Sequence, residues 1–113
     1  MSKTYVIDID GTICENGKCG GCKYEGSLPH VKRIDEINKL YDDGHIIKYF
    51  TARGMGRYED DGNKAKEKFF QLTKMQLDIW GCKYHELILG KPSGDYYIDD
   101  KGISANEFFI DCY

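Results

Sequence analysis

Tyr5-Val6-Ile7-Asp8-Ile9-Asp10-Gly11-Thr12 joins an apolar run to two carboxylates and a glycine. An apolar run of this length with a β-branched centre reads as a buried strand, and residues 4 to 9 are assigned to it. The strand's end then delivers Asp8 and Asp10 to one edge of a sheet. Gly11 allows a sharp turn there, and Thr12 can cap or orient the next segment. Two carboxylates this close repel unless a cation lies between them or one holds a proton. The stretch therefore predicts either a metal site or a nucleophile paired with an acid.

Working outward, the polar residues that could complete such a site each follow an apolar segment. Residues 11 to 28 carry five glycines and few apolar residues, which predicts a loop or flap, with residues 13–28 lying over the site. Pro29 is expected to open a helix marked by Val31, Ile34, Ile37, Leu40 and Tyr41 and ended by Asp42-Asp43-Gly44. His45 to Phe50 reads as a second strand, delivering Thr51. Arg53 to Gly56 reads as a loop. Asn63 is a plausible N-cap for a long helix to about Trp80. Glu86 to Leu89 reads as a third strand, and Tyr96-Tyr97-Ile98 as a fourth ending in Asp99-Asp100. A short helix is expected over Ser104 to Phe109. Strands alternating with helices predict a mostly parallel sheet with helices on its faces, and ligands bound beyond the strands' carboxyl ends. The link over residues 90 to 94 is short for a parallel crossover, which normally takes a dozen or more residues.

The chain has 113 residues and a net charge of -3, which predicts one small domain over 1–113 and no broad grip on a nucleic acid polymer. No apolar run approaches the ~20 residues of a bilayer span, and no signal-peptide pattern precedes the first strand, so a cytoplasmic protein without membrane association is expected. Five cysteines, an odd number, argue against a closed disulfide framework.

The residue types suit phosphoryl transfer, which needs an in-line nucleophile, a cation for phosphate oxygens and donors around the equatorial charge. Asp8 can attack phosphorus and form an aspartyl-phosphate. Asp10 can protonate the leaving alkoxide and later take a proton from water. Asp8 and Asp99 can each give an oxygen to Mg2+, with the carbonyl of Asp10 a third. Thr51 can donate its hydroxyl to phosphate, and Lys91 adds a compact positive charge.

Four segments in order resemble the motifs of haloacid-dehalogenase-type phosphatases: Asp8 to Thr12, Phe50-Thr51-Ala52-Arg53, Gly90-Lys91-Pro92, and Tyr97-Ile98-Asp99-Asp100. The closer resemblance is to a small capsule-biosynthesis phosphatase-like branch, with Thr51 to Gly54 and Gly90 to Asp100 as its marks. The resemblance implies a three-layer Rossmann-like α/β fold with strand order 3-2-1-4 and no cap domain. It implies Asp8 as nucleophile and Asp10 as general acid/base, with Thr51, Ala52 and Lys91 on the phosphate. Asp8, Asp10 and Asp99 would hold Mg2+, and Asp100 would support it. Arg53 would touch substrate or close a loop over it.

The activity implied is Mg2+-dependent hydrolysis of a small phosphorylated metabolite, a sugar or polyol phosphate in surface-polysaccharide synthesis. A nucleotidase-like phosphatase is the enzymatic alternative. A non-catalytic phosphate- or metal-binding module is the alternative of another class. Cys19-Gly20-Gly21-Cys22 has zinc-like spacing, and Cys82 with His85 could complete a set, but strand ends separated by ~17 Å oppose this within one chain. An exposed Phe108–Phe109 pair would favour a homo-oligomer.

Overall fold

A computed structural model describes residues 2–15, 26–53, 62–92 and 94–110, with side chains of the second long helix described from residue 69. Strand β1 (Thr4–Asp8) leads through a turn to two short strands, β2 (Cys14–Glu15) and β3 (Leu28–Pro29), which pair antiparallel. Helix α1 (Val31–Asp42), strand β4 (Ile46–Thr51), helix α2 (Gly62–Ile79), strand β5 (Glu86–Leu89) and helix α3 (Ala105–Phe108) come next. The main sheet is parallel, in the order β1-β4-β5, with Ile7 opposite Tyr49 and Phe50 opposite Ile88. The chain is thus an α/β protein built from two successive β-α-β units.

Side-chain alternation along the strands sorts the sheet into two unlike faces. Ile7, Ile47 and Tyr49 share one face and are buried in a cluster with Ile9, Ile13, Ile34, Ile37, Leu77 and Phe109. Both long helices contribute to this cluster. Each crossover steps the same way across the sheet, and crossovers of one hand then put both helices on one side. Val6 and Ile46 point to the opposite face and stay exposed, Val6 at 60%. Helical cover on both faces, expected from the sequence, is therefore not seen among the described residues.

Several expected bounds move slightly. Pro29 belongs to β3, so α1 begins at Val31 with His30 at its N-cap. The flap root is more ordered than a plain loop: Cys14 pairs with Pro29, and the His30 amide donates to the Ile13 carbonyl at 2.7 Å. Strand β5 spans Glu86 to Leu89 as expected, and α3 is a single turn within the predicted range.

The fourth strand is a correction. Tyr96, Tyr97 and Ile98 form no strand and are 85%, 55% and 94% exposed. Strand order 3-2-1 is present as β5-β4-β1, and the fourth position beside β1 is unfilled among the described residues. Chain reach explains this. The Lys91 amide donates to the Thr51 carbonyl at 3.1 Å, which pins the link to the tip of β4. Residues 92 to 95 would then have to cross ~10 Å to the far side of β1 and descend ~10 Å along it. The straight line between those points, about 14 Å, already uses their whole extended reach and leaves nothing for the turn into a strand. The Tyr97 hydroxyl instead donates to the Pro92 carbonyl at 2.7 Å, curling the segment back on itself.

Candidate active site

Three strand tips meet at the carboxyl edge of the sheet. Asp8 ends β1, Thr51 ends β4, and Lys91 comes two residues after β5. Their convergence results from parallel pairing, because Asp8 stands opposite Phe50 and Thr51 opposite Leu89. The Lys91 ammonium lies 3.4 Å from Asp8 Oδ1, and the Thr12 hydroxyl donates to Asp8 Oδ2 at 3.4 Å. Tyr97 stacks under the ammonium, 4.1 Å from nitrogen to ring centroid. Burial pushes the Asp8 carboxyl above its ordinary range; Lys91 pulls it back, and the charge of Asp10 adds to the rise. Asp8 nevertheless keeps 34% of its side chain open to solvent, so a small anion can reach it.

Asp10 is held quite differently. Arg53 Nε donates to its Oδ2 and Arg53 Nη2 to its Oδ1, both at 3.0 Å. The Thr51 hydroxyl donates to Oδ2 at 3.3 Å and accepts the Arg53 amide at 3.2 Å. Arg53 itself is 1% exposed. Its remaining Nη1 donates to the Thr73 hydroxyl at 3.1 Å and to Gln76 Oε1 at 2.5 Å, so α2 anchors the guanidinium. Such a two-point charge-assisted pair fixes both distance and orientation. The Cys14 thiol lies 3.6 Å from Asp10 Oδ1 and is pushed up to about 12, first by burial and then by that carboxylate.

Two of the expected phosphate and substrate contacts are engaged with Asp10: Arg53 is interior and bound to it, and the Thr51 hydroxyl donates to it. Ala52 is half-buried between these two residues.

The expected metal set is not assembled. Asp99 Oδ1 accepts the amides of Lys101 and Gly102 at 2.6 and 2.7 Å, closing a turn on its own backbone. Asp100 is exposed in the same turn. Among the described residues no group of three or more His, Cys, Asp or Glu side chains could hold a metal. The donors therefore do not fit a divalent ion in this arrangement: Asp10 is spent on Arg53 and Asp99 on its turn.

Cys19 and Cys22 lie outside the described residues. Cys82 is half-buried beside Tyr49, and its thiol is pushed up to about 12 by burial. His85 Nδ1 accepts the Ile47 amide at 3.0 Å while its ring stacks on Tyr41. Both are bound into the packing. Of the expected aromatic pair, Phe109 is core and Phe108 is 37% exposed against Tyr5.

Sequence reasoning missed Arg33, Thr73 and Gln76. Arg33 is buried, donates to the Thr12 carbonyl and to Asn106 Oδ1 at 3.0 Å each, and lies over the Phe109 ring. It ties the turn after Asp10 to the C-terminal helix. The available signal was spacing: Arg33 shares a helical stripe with Ile37 and Leu40, and Thr73 and Gln76 share one with Phe69 and Leu77. Polar residues at core positions of a helix call for buried partners.

A crystal structure of an MCSG target protein from Vibrio cholerae is similar to this chain at a TM-score of 0.82 and 28% sequence identity, covering 94% of this chain and 86% of that one. No protein-family model and no curated protein matches the chain. The α/β fold is thus shared with a solved protein over nearly its whole length. No helix is long and apolar enough to cross a membrane among the described residues.

Proposed function

We propose that the chain is a phosphatase that hydrolyses a small phosphomonoester, with Asp8 as nucleophile. The observation that carries this reading is the solvent-reachable Asp8 carboxylate facing the Lys91 ammonium at 3.4 Å on the carboxyl edge of a parallel sheet. A nucleophile needs access and a cationic neighbour that can take phosphate oxygens, and this pair has both. A carboxylate made more basic by burial is also a better attacking group once ionised.

In the first half, an Asp8 oxygen bonds to phosphorus as the bond from phosphorus to the substrate oxygen breaks. The departing alkoxide takes a proton from Asp10. Lys91 exchanges its contact with Asp8 for the phosphoryl oxygens as charge moves onto them. In the second half, water attacks the aspartyl-phosphate, gives its proton to Asp10, and releases inorganic phosphate with Asp8 restored.

The resemblance implies Mg2+, whose expected ligands are not gathered among the described residues. A strict need for the cation would require Asp99 to leave its turn and join Asp8. The test is a screen of sugar, polyol and nucleoside phosphates, with Mg2+ and with EDTA, beside Asp8→Asn. The wild type is expected to release phosphate, and Asp8→Asn none. Turnover that survives in the mutant overturns the assignment.

A further inference from the structure

Arg53 is the most completely buried charge among the described residues; its guanidinium joins the Asp10 turn to α2, and its backbone amide meets the end of β4. Two of its nitrogens grip both oxygens of Asp10 at 3.0 Å. A third is held by Thr73 and Gln76, one turn apart on α2. Its own amide rests on the Thr51 hydroxyl, which in turn donates to Asp10. A buried guanidinium is costly unless its donors are met, and here a carboxylate, a hydroxyl and an amide oxygen meet them.

We propose that Arg53 is a positioning residue for the acid–base step: held by Thr73 and Gln76, it fixes where the Asp10 carboxylate sits relative to Asp8. The inference rests on the phosphatase reading of the same site. Asp10 stands two residues from Asp8 on a turn that contains Gly11, and that turn by itself leaves the carboxylate several staggered orientations. The guanidinium fork selects one of them. Because the anchor is on α2, the orientation is set by a helix other than the elements that carry Asp8 and Lys91. Arg53 is 1% exposed, so its expected effect is on turnover and not on binding.

The variants are Arg53→Lys, Thr73→Val and Gln76→Leu, assayed on the phosphomonoester found in the screen. A lysine keeps the charge but makes one contact where the fork makes two. Arg53→Lys is expected to lower kcat ~10- to 100-fold, as loss of fine placement does, with KM within about twofold of wild type. Thr73→Val and Gln76→Leu, which leave the Asp10 contacts in place, are expected to lower kcat ~3- to 10-fold with KM unchanged. In an Asp10→Asn background the Thr73→Val and Gln76→Leu effects should vanish, since residues acting as one unit are not additive.

A second measurement is independent of turnover. The Arg53 Nε–H should give a solvent-protected arginine resonance, assigned by its loss in Arg53→Lys and displaced in Asp10→Asn. A rise in KM at constant kcat in Arg53→Lys would make the residue a substrate contact and overturn the proposal. Rapid solvent exchange at Nε–H would overturn it as well, whatever the activity. Failure of the phosphatase reading looks different: Asp8→Asn would turn over like wild type, while the protected Nε–H could still be present.

Discussion

Asp8→Asn tests the electrostatics of the site as well as its chemistry, because it should inactivate the protein and stabilise it. The substitution removes a negative charge and keeps the shape. Two opposing quantities decide the sign. Attraction between Asp8 and Lys91 at 3.4 Å amounts to about 1 kcal/mol in a water-like medium and about 5 kcal/mol at an effective dielectric of 20. With a third of the Asp8 side chain open to water, screening favours the lower figure. Burial, helped by the Asp10 charge, works against the ionised form, and together they outweigh Lys91, since the carboxyl is raised overall. The ionised form is therefore worse off in the folded chain than in the unfolded one.

A carboxyl raised on folding supports stability below its unfolded value, near pH 4, and that support is lost as pH rises through the folded value. Asp8→Asn should match wild type near pH 4 and melt a few degrees higher at pH 7, where about 1 kcal/mol corresponds to ~4–8 °C in a domain of roughly this size. Thermal melts of both proteins from pH 4 to pH 8, beside phosphate release, provide the assay. A mutant that melts below wild type at pH 7 would refute the reasoning, since Lys91 would then outweigh burial.

Lys91→Met removes the cation facing Asp8 and should lower kcat/KM by ~100-fold or more, the scale of losing one charge-stabilising group at a reacting centre; unchanged kinetics would remove Lys91 from the site. Tyr49→Phe deletes a buried hydroxyl that meets no nitrogen or oxygen partner among the described residues, only the weakly bonding Cys82 thiol, while the ring keeps its edge contact with Tyr84. A gain of about 1 kcal/mol in denaturant unfolding is expected, and a loss would show that the hydroxyl is paired. Ile47→Ala opens a cavity at a fully buried position on the packed face of β4 and should cost ~2–5 kcal/mol by the same measurement; a cost under ~1 kcal/mol would contradict the packing.

Much of the site was legible because it lies at strand ends. Asp8, Thr51 and Lys91 each come after a short apolar run, and parallel pairing of such runs brings their ends to one edge. The runs themselves declared β1, β4 and β5, and helical spacing declared α1 and α2. Tyr96 to Ile98 carried the same apolar signal but formed no strand. Alternation and composition describe a segment's preference, whereas pairing also needs a link long enough to reach the partner.

Arg53 shows the complementary limit. As the first residue of a loop, it read as a group that would touch substrate or close the loop over it. What makes it interior is α2, whose Thr73 and Gln76 lie 20 and 23 positions further on. Residue chemistry and local order therefore determined the three strands of the main sheet, the two long helices, and the place of Asp8, Thr51 and Lys91 at strand ends. Only the tertiary structure decided which charges are buried together and which carboxylate stays apart, because those outcomes depend on distances between segments remote in the chain.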